Sequence, residues 1–269
     1  MLPLGLGVGF FGSLAGIGGG LFAVPVLYML YRLPLPMCVG SSLLVVAVTT
    51  SVSTATEFLL GVPTLYWDMI AAVALGSLLG AQFGFTVASK LSPRPMRQLF
   101  IGLLLLAGLR VLFDALGFGG AREAPRVEHF QVFDYGLGLC IGLVGGVIAP
   151  LLGISGGLLV TPGLFMLLPE MGFTGARATS LAAGFVAAAR SLYLLGRAGR
   201  VRWAHGFGLV PGALLGAIAG TRAVHLPGMS AVAQVVLCAV LFATALRFVR
   251  ELRGLRPIPA AKSAESTST

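Results

Sequence analysis

The sequence predicts an all-α, polytopic membrane protein of two inverted repeats, each a re-entrant hairpin broken by glycines and followed by three transmembrane helices. Three observations predict this fold. Of the 269 residues, 57% are hydrophobic and only 10% are charged, whereas a soluble domain carries about 25% charged residues. Apolar runs of about 20 residues, the length that crosses a bilayer as a helix, recur along the chain. A set of short motifs also occurs twice in the same order.

The apolar runs divide into four in each half of the chain. The strands of a membrane barrel would instead alternate over about 10 residues, and the sequence lacks that pattern. The runs cover 4–31, 37–60, 66–88 and 99–116 in the first half, and 132–168, 176–195, 203–224 and 229–249 in the second. We predict one membrane domain and a disordered tail. They comprise the domain at 1–250, with repeat 1 at 1–117, a linker at 118–131 and repeat 2 at 132–250, and the polar tail at 251–269.

The duplication is visible as motifs that recur at a nearly constant offset. Gly16-Ile17-Gly18-Gly19-Gly20-Leu21 matches Gly153-Ile154-Ser155-Gly156-Gly157-Leu158 at an offset of 137 residues. Ser41-Ser42-Leu43 matches Thr179-Ser180-Leu181 at 138, and Trp67 matches Trp203 at 136. One such match would be chance in a chain so rich in glycine and leucine. Five in the same order predict a duplicated fold; the other two are Leu59-Leu60-Gly61 with Leu194-Leu195-Gly196 at 135 and Gly76–Ala81 with Gly212–Ala217 at 136.

Positive charge sets the predicted topology, because short loops rich in Lys and Arg stay in the cytoplasm. Three basic clusters can all face the cytoplasm only if both ends of 4–31 lie inside and both ends of 132–168 lie outside. Each of these segments must then enter the bilayer, turn and return. Three crossings remain in each half, which makes the halves inverted and both termini cytoplasmic. The clusters are Lys90, Arg94 and Arg97; Arg197, Arg200 and Arg202; and Arg247, Arg250, Arg253 and Arg256.

The lengths of the broken segments suit re-entrant hairpins in the first half and leave an alternative in the second. About 12 residues flank the glycines of 4–31 on each side, or about 18 Å of helix. That length reaches just past the middle of a hydrocarbon core of about 30 Å. Residues 132–150, however, are long enough to cross unaided. The net charge of +9 is assigned to cytoplasmic loops, and no nucleic-acid partner is predicted.

The two glycine breaks form the predicted substrate site. Non-helical backbone at membrane depth is tolerated only inside the protein or along a watery cavity, so 16–20 and 153–157 are expected to meet near the midplane. Helices starting near Gly20 and Gly157 would point their N-termini there. A helix N-terminus attracts anions through its unpaired N–H groups and partial positive charge. The alternative is that the glycines only allow tight helix packing.

The candidate substrate residues are small, carry a hydroxyl group or carry positive charge. Arg190 lies in the middle of 176–195, where a cation needs a cavity, a partner or an anion. A structural ion pair and a misplaced segment boundary are its alternatives. The hydroxyl groups would donate to an oxyanion, although such residues more often bond to their own helix. The full set is Gly18, Gly19, Gly20, Ser41, Ser42, Ser155, Gly156, Gly157, Thr179, Ser180 and Arg190.

Glu57 is the predicted proton-coupling residue. It lies in the segment equivalent to that of Arg190, and it would pair with Arg190 in the empty site or take up a proton. The alternative places Glu57 in water at the outer end of its helix. The histidines, His129, His205 and His225, lie in or near loops and lack the spacing of metal ligands. We predict no enzyme activity, metal or cofactor, and as partners a small anion, the lipid bilayer and protons.

The repeated motifs resemble a known family. Gly16-Ile17-Gly18-Gly19-Gly20-x4-Pro25 with Gly40-Ser41-Ser42-Leu43, repeated as Gly153-x2-Gly156-Gly157-x4-Pro162 with Ala178-Thr179-Ser180-Leu181, resembles the TauE/SafE family of sulfite exporters. The resemblance implies a secondary carrier of sulfite, organosulfonates or related anions in the bacterial inner membrane. The second break departs from the first at Ser155, which stands where the first has Gly18. We expect alternating access around a midplane site; the alternatives are an anion channel and a membrane scaffold or assembly factor.

Overall fold

The computed structural model describes residues 1–31, 33–61, 65–87, 101–102, 105, 108–109, 112, 130–153 and 155–254. Its continuous elements are nine α helices and one 3-10 turn at Pro169–Met171, and this part of the chain has no β strand. The all-α prediction is therefore confirmed. The helices are α1 (Leu2–Leu14), α2 (Gly20–Tyr31), α3 (Leu35–Leu60), α4 (Trp67–Val87), α5 (Val132–Leu152), α6 (Gly157–Leu167), α7 (Gly172–Arg197), α8 (Trp203–Val224) and α9 (Met229–Gly254).

Five helices are long and apolar enough to cross a membrane, which confirms the prediction of a multi-pass membrane protein. They comprise Pro36–Leu60, Trp67–Thr86, Val132–Leu151, Pro169–Arg197 and Trp203–Val224. Shorter apolar helices cover Leu2–Leu14, Gly157–Leu167 and Met229–Ala243. Each predicted break lies between two helices. The first glycine run lies between α1 and α2, and the second lies between α5 and α6.

Several predictions concern parts of the chain outside the described residues. These are the basic cluster Lys90, Arg94 and Arg97, His129, most of 99–116 and of the linker 118–131, and the tail from 255. The start of the tail needs a correction, because α9 continues to Gly254. The residues Glu251, Leu252 and Arg253 are strong helix formers, which explains why the helix extends past the predicted boundary at 250.

Both broken segments fold back on themselves as hairpins. In the first, the Tyr31 hydroxyl at the end of α2 lies 3.7 Å from the Met1 sulfur at the start of α1. In the second, Gly163 of α6 faces Ile141 of α5. Ile141 lies nearer the start of α5 than Gly145, which contacts Gly156 beside the break. The arms have 13 and 12 residues in the first hairpin and 21 and 11 in the second. The longer arm, α5, covers the segment for which the sequence left two alternatives, a full crossing of the bilayer and a re-entrant arm.

The two halves exchange their hairpins and run in opposite directions. α3 and α7, which carry the repeated Ser-Leu motifs, are antiparallel: Gly40 near the start of α3 faces Arg200 just beyond the end of α7, and Glu57 near the end of α3 pairs with Arg177 near the start of α7. α1 packs chiefly on α8 of the other half, and α5 packs chiefly on α4. The placement of this arrangement across a bilayer remains a prediction.

Glycines at intervals of four residues allow α1 to pack very closely on α8, and α5 on α4. On α8, Gly212, Gly216 and Gly220 face the backbone of α1, and an added Cβ atom at any of them would overlap it. Gly76, Gly80 and Gly84 of α4 face the backbone of α5 in the same way. Small residues at this spacing let membrane helices approach to backbone contact. Tight packing between helices therefore accounts for these glycines.

Candidate substrate site

The tips of the two hairpins touch each other in the protein interior. We call residues 15–19 the first break and residues 153–156 the second break. The Ser155 hydroxyl of the second break donates to the carbonyl of Ile17 in the first, at 2.8 Å. A Cβ atom added to Gly157, the first residue of α6, would lie 2.6 Å from the Gly16 carbonyl oxygen. Ser155, Ile17 and Gly157 are buried, so the two breaks meet without intervening solvent.

Gly16 and Gly153 occupy equivalent positions and have the same backbone conformation. Their φ angles are +76° and +68°, a region that side chains other than glycine rarely adopt. Space is also restricted. A Cβ atom at Gly16 would lie 2.7 Å from Cγ of Arg177, and one at Gly153 would lie 2.8 Å from Cα of Val39. Both conformation and space therefore require glycine where the chain leaves the first arm of each hairpin.

A serine from the opposite half holds each tip. Ser42 of α3 donates to the Gly153 carbonyl at 2.7 Å, and its counterpart Ser180 of α7 donates to the Gly16 carbonyl at 3.3 Å. Two threonines assist at the first break: Thr161 donates to Gly16 at 3.0 Å, and Thr49 donates to the Gly18 carbonyl at 2.6 Å. A hydroxyl group has one proton to donate. In this state the predicted anion donors Ser42, Ser155 and Ser180 therefore bind the breaks themselves.

The remaining candidates near the breaks have structural contacts or none. Gly19 accepts the first backbone hydrogen bonds of α2, from Phe22 and Ala23. Gly20 begins α2, and Gly156 precedes α6. Ser41 lies away from the tips, where its hydroxyl accepts from the Arg202 N–H at 2.9 Å. Thr179 is fully buried, and its hydroxyl has no hydrogen-bond partner in the part of the chain that the structure describes.

Arg190 lies apart from the two breaks. Its guanidinium donates to the Gln82 side-chain oxygen of α4 at 2.6 Å and lies 5.6 Å from the Tyr193 ring centre. Among the described residues it makes no hydrogen bond to either break. The pairing of Glu57 with Arg190 suggested by the sequence is not the one observed. The contact of Arg190 with a substrate remains a prediction.

Glu57 instead belongs to a buried ionic cluster that we call the Glu57–Arg177–His225 cluster. The Arg177 guanidinium forms an ion pair with the Glu57 carboxylate, and both side chains have no exposed surface. Nε2 of His225, just beyond α8, lies 2.9 Å from the other Glu57 oxygen. Arg177 also donates to the carbonyl of Ser13 at the end of α1, at 2.8 Å. The cluster therefore joins the first hairpin, α3, α7 and the end of α8.

Sequence reasoning missed Arg177 because it lies one residue inside the predicted segment 176–195, where a basic residue suggests a helix end in water. Packing against Gly16 and pairing with Glu57 bury it instead. A signal was available in the repeat. At the offset of 138 that relates the Ser-Leu motifs, Arg177 corresponds to Val39. A charge that appears in one copy of a duplicated buried position indicates a function specific to that copy.

The comparisons with known proteins agree with this architecture. The chain is similar to proteins named "Probable membrane transporter protein" in three organisms. It is 29% identical to that of Methanocaldococcus jannaschii over 62% of each chain. The identity is 28% over 58% of each chain for that of Xylella fastidiosa, and 25% over 40% of this chain and 39% of the relative for that of Bacillus subtilis. The matches thus span less than two thirds of the relatives' lengths.

No solved structure matches the chain. A family model described as Sulfite exporter TauE/SafE matches residues 1–111 and 137–268, which include both breaks and both Ser-Leu motifs. Since the match covers most of the sequence, the chain belongs to the sulfite exporter TauE/SafE family of membrane transporters.

Proposed function

We propose that this protein is a secondary transporter of small sulfur-containing anions, such as sulfite or organosulfonates, in the bacterial inner membrane with both termini in the cytoplasm. The observation that carries the proposal is the buried contact between the two breaks, at the N-terminal ends of α2 and α6. Membership of the sulfite exporter family supports the substrate class. The relatives named as membrane transporters support transport as the activity.

The chemistry of the contact suits an anion. α2 begins at Gly20 and α6 at Gly157, and each helix therefore begins directly after its own break. Each helix N-terminus carries roughly half a positive charge and several N–H donors without a partner in the helix. Two such ends in a dry interior favour a small oxyanion, which can accept several hydrogen bonds at once.

The hydrogen bonds that hold the tips support alternating access. The hydroxyl–carbonyl bonds from Ser42, Ser180 and Ser155 close the contact in this state. When the tips separate, these three protons are released from the break carbonyls and can be donated to the substrate oxygens. Arg190 is retained in the proposal as a further contact on the side of α4, and Glu57 as the proton-coupling group.

Uptake of radiolabelled sulfite into proteoliposomes tests the proposal. We expect saturable uptake that depends on a pH gradient and is inhibited by organosulfonates such as sulfoacetate. Flux that rises linearly with concentration would instead indicate a channel. Flux equal to that of protein-free vesicles would indicate a scaffold or assembly factor.

A matched pair of glycine variants tests whether the substrate binds at the two breaks. In Gly157→Ala the new methyl group would press on the Gly16 carbonyl, whereas Gly7 of α1 has open space around an added Cβ atom. Overlap of this kind costs about 1–3 kcal/mol, which corresponds to about a 5- to 150-fold loss of substrate affinity if it falls on the site. We expect that loss in Gly157→Ala and no change in Gly7→Ala. Equal affinity in both variants would remove the breaks from the site.

A further inference from the structure

The Glu57–Arg177–His225 cluster is placed beside the first break and not at a distance from it. The Arg177 side chain packs so closely on Gly16 that a Cβ atom there would lie 2.7 Å from its Cγ. Its guanidinium reaches the Ser13 carbonyl, two residues before the break, at 2.8 Å. Arg177 is therefore a full positive charge within the wall of the first tip.

Three features of the cluster are unusual for a pair that serves stability alone. Replacing a buried ion pair by apolar residues is often neutral or stabilising, and the equivalent site around Val39 is built from apolar residues. Nε of Arg177 is buried and has no hydrogen-bond partner among the described residues. The cluster also reaches the surface, because the His225 side chain is 20% exposed whereas Glu57 and Arg177 have no exposed surface.

We propose that Arg177 is the anion-binding cation of the transporter and that Glu57 is its competing ligand, so that a proton delivered through His225 to Glu57 releases Arg177 to the anion. This inference rests on the proposed function. It assigns the substrate charge to Arg177 and makes transport of the anion depend on a proton.

The proton path balances in charge and atoms. A proton from water adds to Nδ1 of His225, and the proton on Nε2 passes to the Glu57 oxygen 2.9 Å away. Glu57 becomes a neutral carboxylic acid, and the ring returns to neutrality with its proton on Nδ1. Arg177 keeps its charge and its bond to Ser13, and turns Nη2 and Nε toward the anion. One proton and one monovalent anion then occupy the site together, so the loaded site has the same net charge as the empty one.

The surroundings of Glu57 support this role for His225. Among the described residues, the ionisable groups in contact with Glu57 are Arg177 from α7 and His225 from the end of α8. Other ionisable groups of neighbouring elements are exposed: Asp68 of α4, Glu170 before α7 and Arg222 of α8. Burial and the charge of Arg177 lower the pKa of His225, so its ring is neutral at pH 7. A neutral imidazole donates from one nitrogen and accepts at the other, as a proton carrier requires.

The experiment measures affinity and proton movement for isethionate, a monovalent sulfonate whose charge is constant between pH 5 and pH 8. In the wild-type protein, the apparent Kd should rise with pH by up to about tenfold per pH unit, because binding takes up one proton. Glu57→Gln mimics the protonated acid. Its Kd should be independent of pH and close to the wild-type value at low pH, and its uptake should no longer carry protons.

Arg177→Met should lose isethionate binding. If that variant fails to fold, Glu57→Gln/Arg177→Met, which buries no unpaired charge, provides the same test. Arg222→Ala is the matched control and should retain wild-type binding and pH dependence. His225→Gln should keep the Kd at equilibrium and slow proton uptake.

Wild-type isethionate and sulfite uptake at the level of empty vesicles would overturn the proposed function. The inference alone is overturned if wild-type transport is saturable but Glu57→Gln keeps the wild-type pH dependence. Isethionate binding of wild-type strength by the double variant would also overturn it.

Discussion

The two ends of the antiparallel pair formed by α3 and α7 are related by the duplication, yet they are closed by different chemistry. At one end, Arg177 packs on Gly16 and pairs with Glu57. At the other, the backbone of Val39 packs on Gly153, and the residue belongs to a buried apolar cluster. That cluster comprises Val39, Leu43, Val46, Ala188 and Leu195. The end of the helix pair at Gly16 is therefore stabilised by an ion pair, and the end at Gly153 by apolar contacts.

The difference indicates that the two closures respond to different conditions. Exposing a buried apolar side chain costs about 1.5–3 kcal/mol, and this cost is independent of pH. Removing one partner from a buried ion pair costs about 3–5 kcal/mol, but protonating Glu57 removes its charge without removing the side chain. If the proposed proton coupling holds, one of the two closures would respond to protons while the other depends on packing alone.

The largest expected effect is on the ionic end. Arg177→Met leaves the Glu57 carboxylate buried beside a methyl group, and the free energy of unfolding should fall by about 3–5 kcal/mol. Adding Glu57→Gln should recover most of this loss, because the buried charge is then gone. Thermal unfolding in detergent, followed by the fluorescence of Trp67 and Trp203, measures both variants.

Leu195→Ala is the control at the apolar end. The side chain is 3% exposed, and its truncation should cost about 2–5 kcal/mol equally at pH 5.5 and pH 8. Arg177→Met should lose less stability at pH 5.5 than at pH 8, since protonation of Glu57 removes the negative charge that Arg177 balances in the wild-type protein. Equal losses at both pH values in the two variants would mean that the ends do not differ in the way the contacts indicate.

Much of this architecture was predictable from the sequence, because it rests on patterns that repeat. Apolar length predicted the helices, and the two glycine runs predicted where the helical segments are interrupted. The partners of individual polar groups were not predictable. Arg190 has a mid-segment position in the sequence but bonds to Gln82, whereas Arg177 seemed to lie at a helix end but is buried. Which face of α7 each arginine occupies depends on helix packing and not on position along the segment.

The hydroxyl residues show the same limit. Their recurrence in both halves favoured contact with a substrate, which stays a prediction, and in the structure Ser42 and Ser180 contact the breaks. The direction of their hydrogen bonds was not predictable, since a hydroxyl group both donates and accepts. Only the positions of the Gly153 and Gly16 carbonyls, fixed by the other half of the molecule, show that the serines donate to the backbone in this state.

A smaller difference in the free energy of unfolding is expected between alanine variants of Gly16 and Gly153. Alanine in the left-handed region costs about 1–2 kcal/mol, and overlap adds to this. At Gly153 the overlap is with the Val39 backbone and Ser42, whereas at Gly16 it is with side-chain atoms of Arg177 and Thr161. Side chains can move more readily than backbone. We therefore expect Gly153→Ala to lower the free energy of unfolding by about 2–4 kcal/mol and Gly16→Ala by less.

Gly61→Ala measures the cost of the left-handed backbone conformation without the cost of steric overlap. Gly61 ends α3 with a φ angle of +63°, and nothing lies within 4 Å of an added Cβ atom. Its loss in thermal unfolding should be about 1–2 kcal/mol, below that of Gly153→Ala. A loss in Gly61→Ala as large as in Gly153→Ala would show that backbone conformation alone, without close packing, explains the glycine at the second break.

The smallest expected effect compares the serines that hold the tips. Ser42→Ala removes a 2.7 Å bond to the Gly153 carbonyl, and Ser180→Ala removes a 3.3 Å bond to Gly16, which keeps its bond from Thr161. A buried hydrogen bond contributes about 1 kcal/mol. Ser42→Ala should therefore lower the unfolding free energy by about that amount and Ser180→Ala by less. Thr86→Ala, which removes an exposed bond to the residue's own helix, provides the baseline. If Ser180→Ala proves the more destabilising of the two, the first tip depends on its serine more than these distances indicate, and the ionic end is held by more than its ion pair.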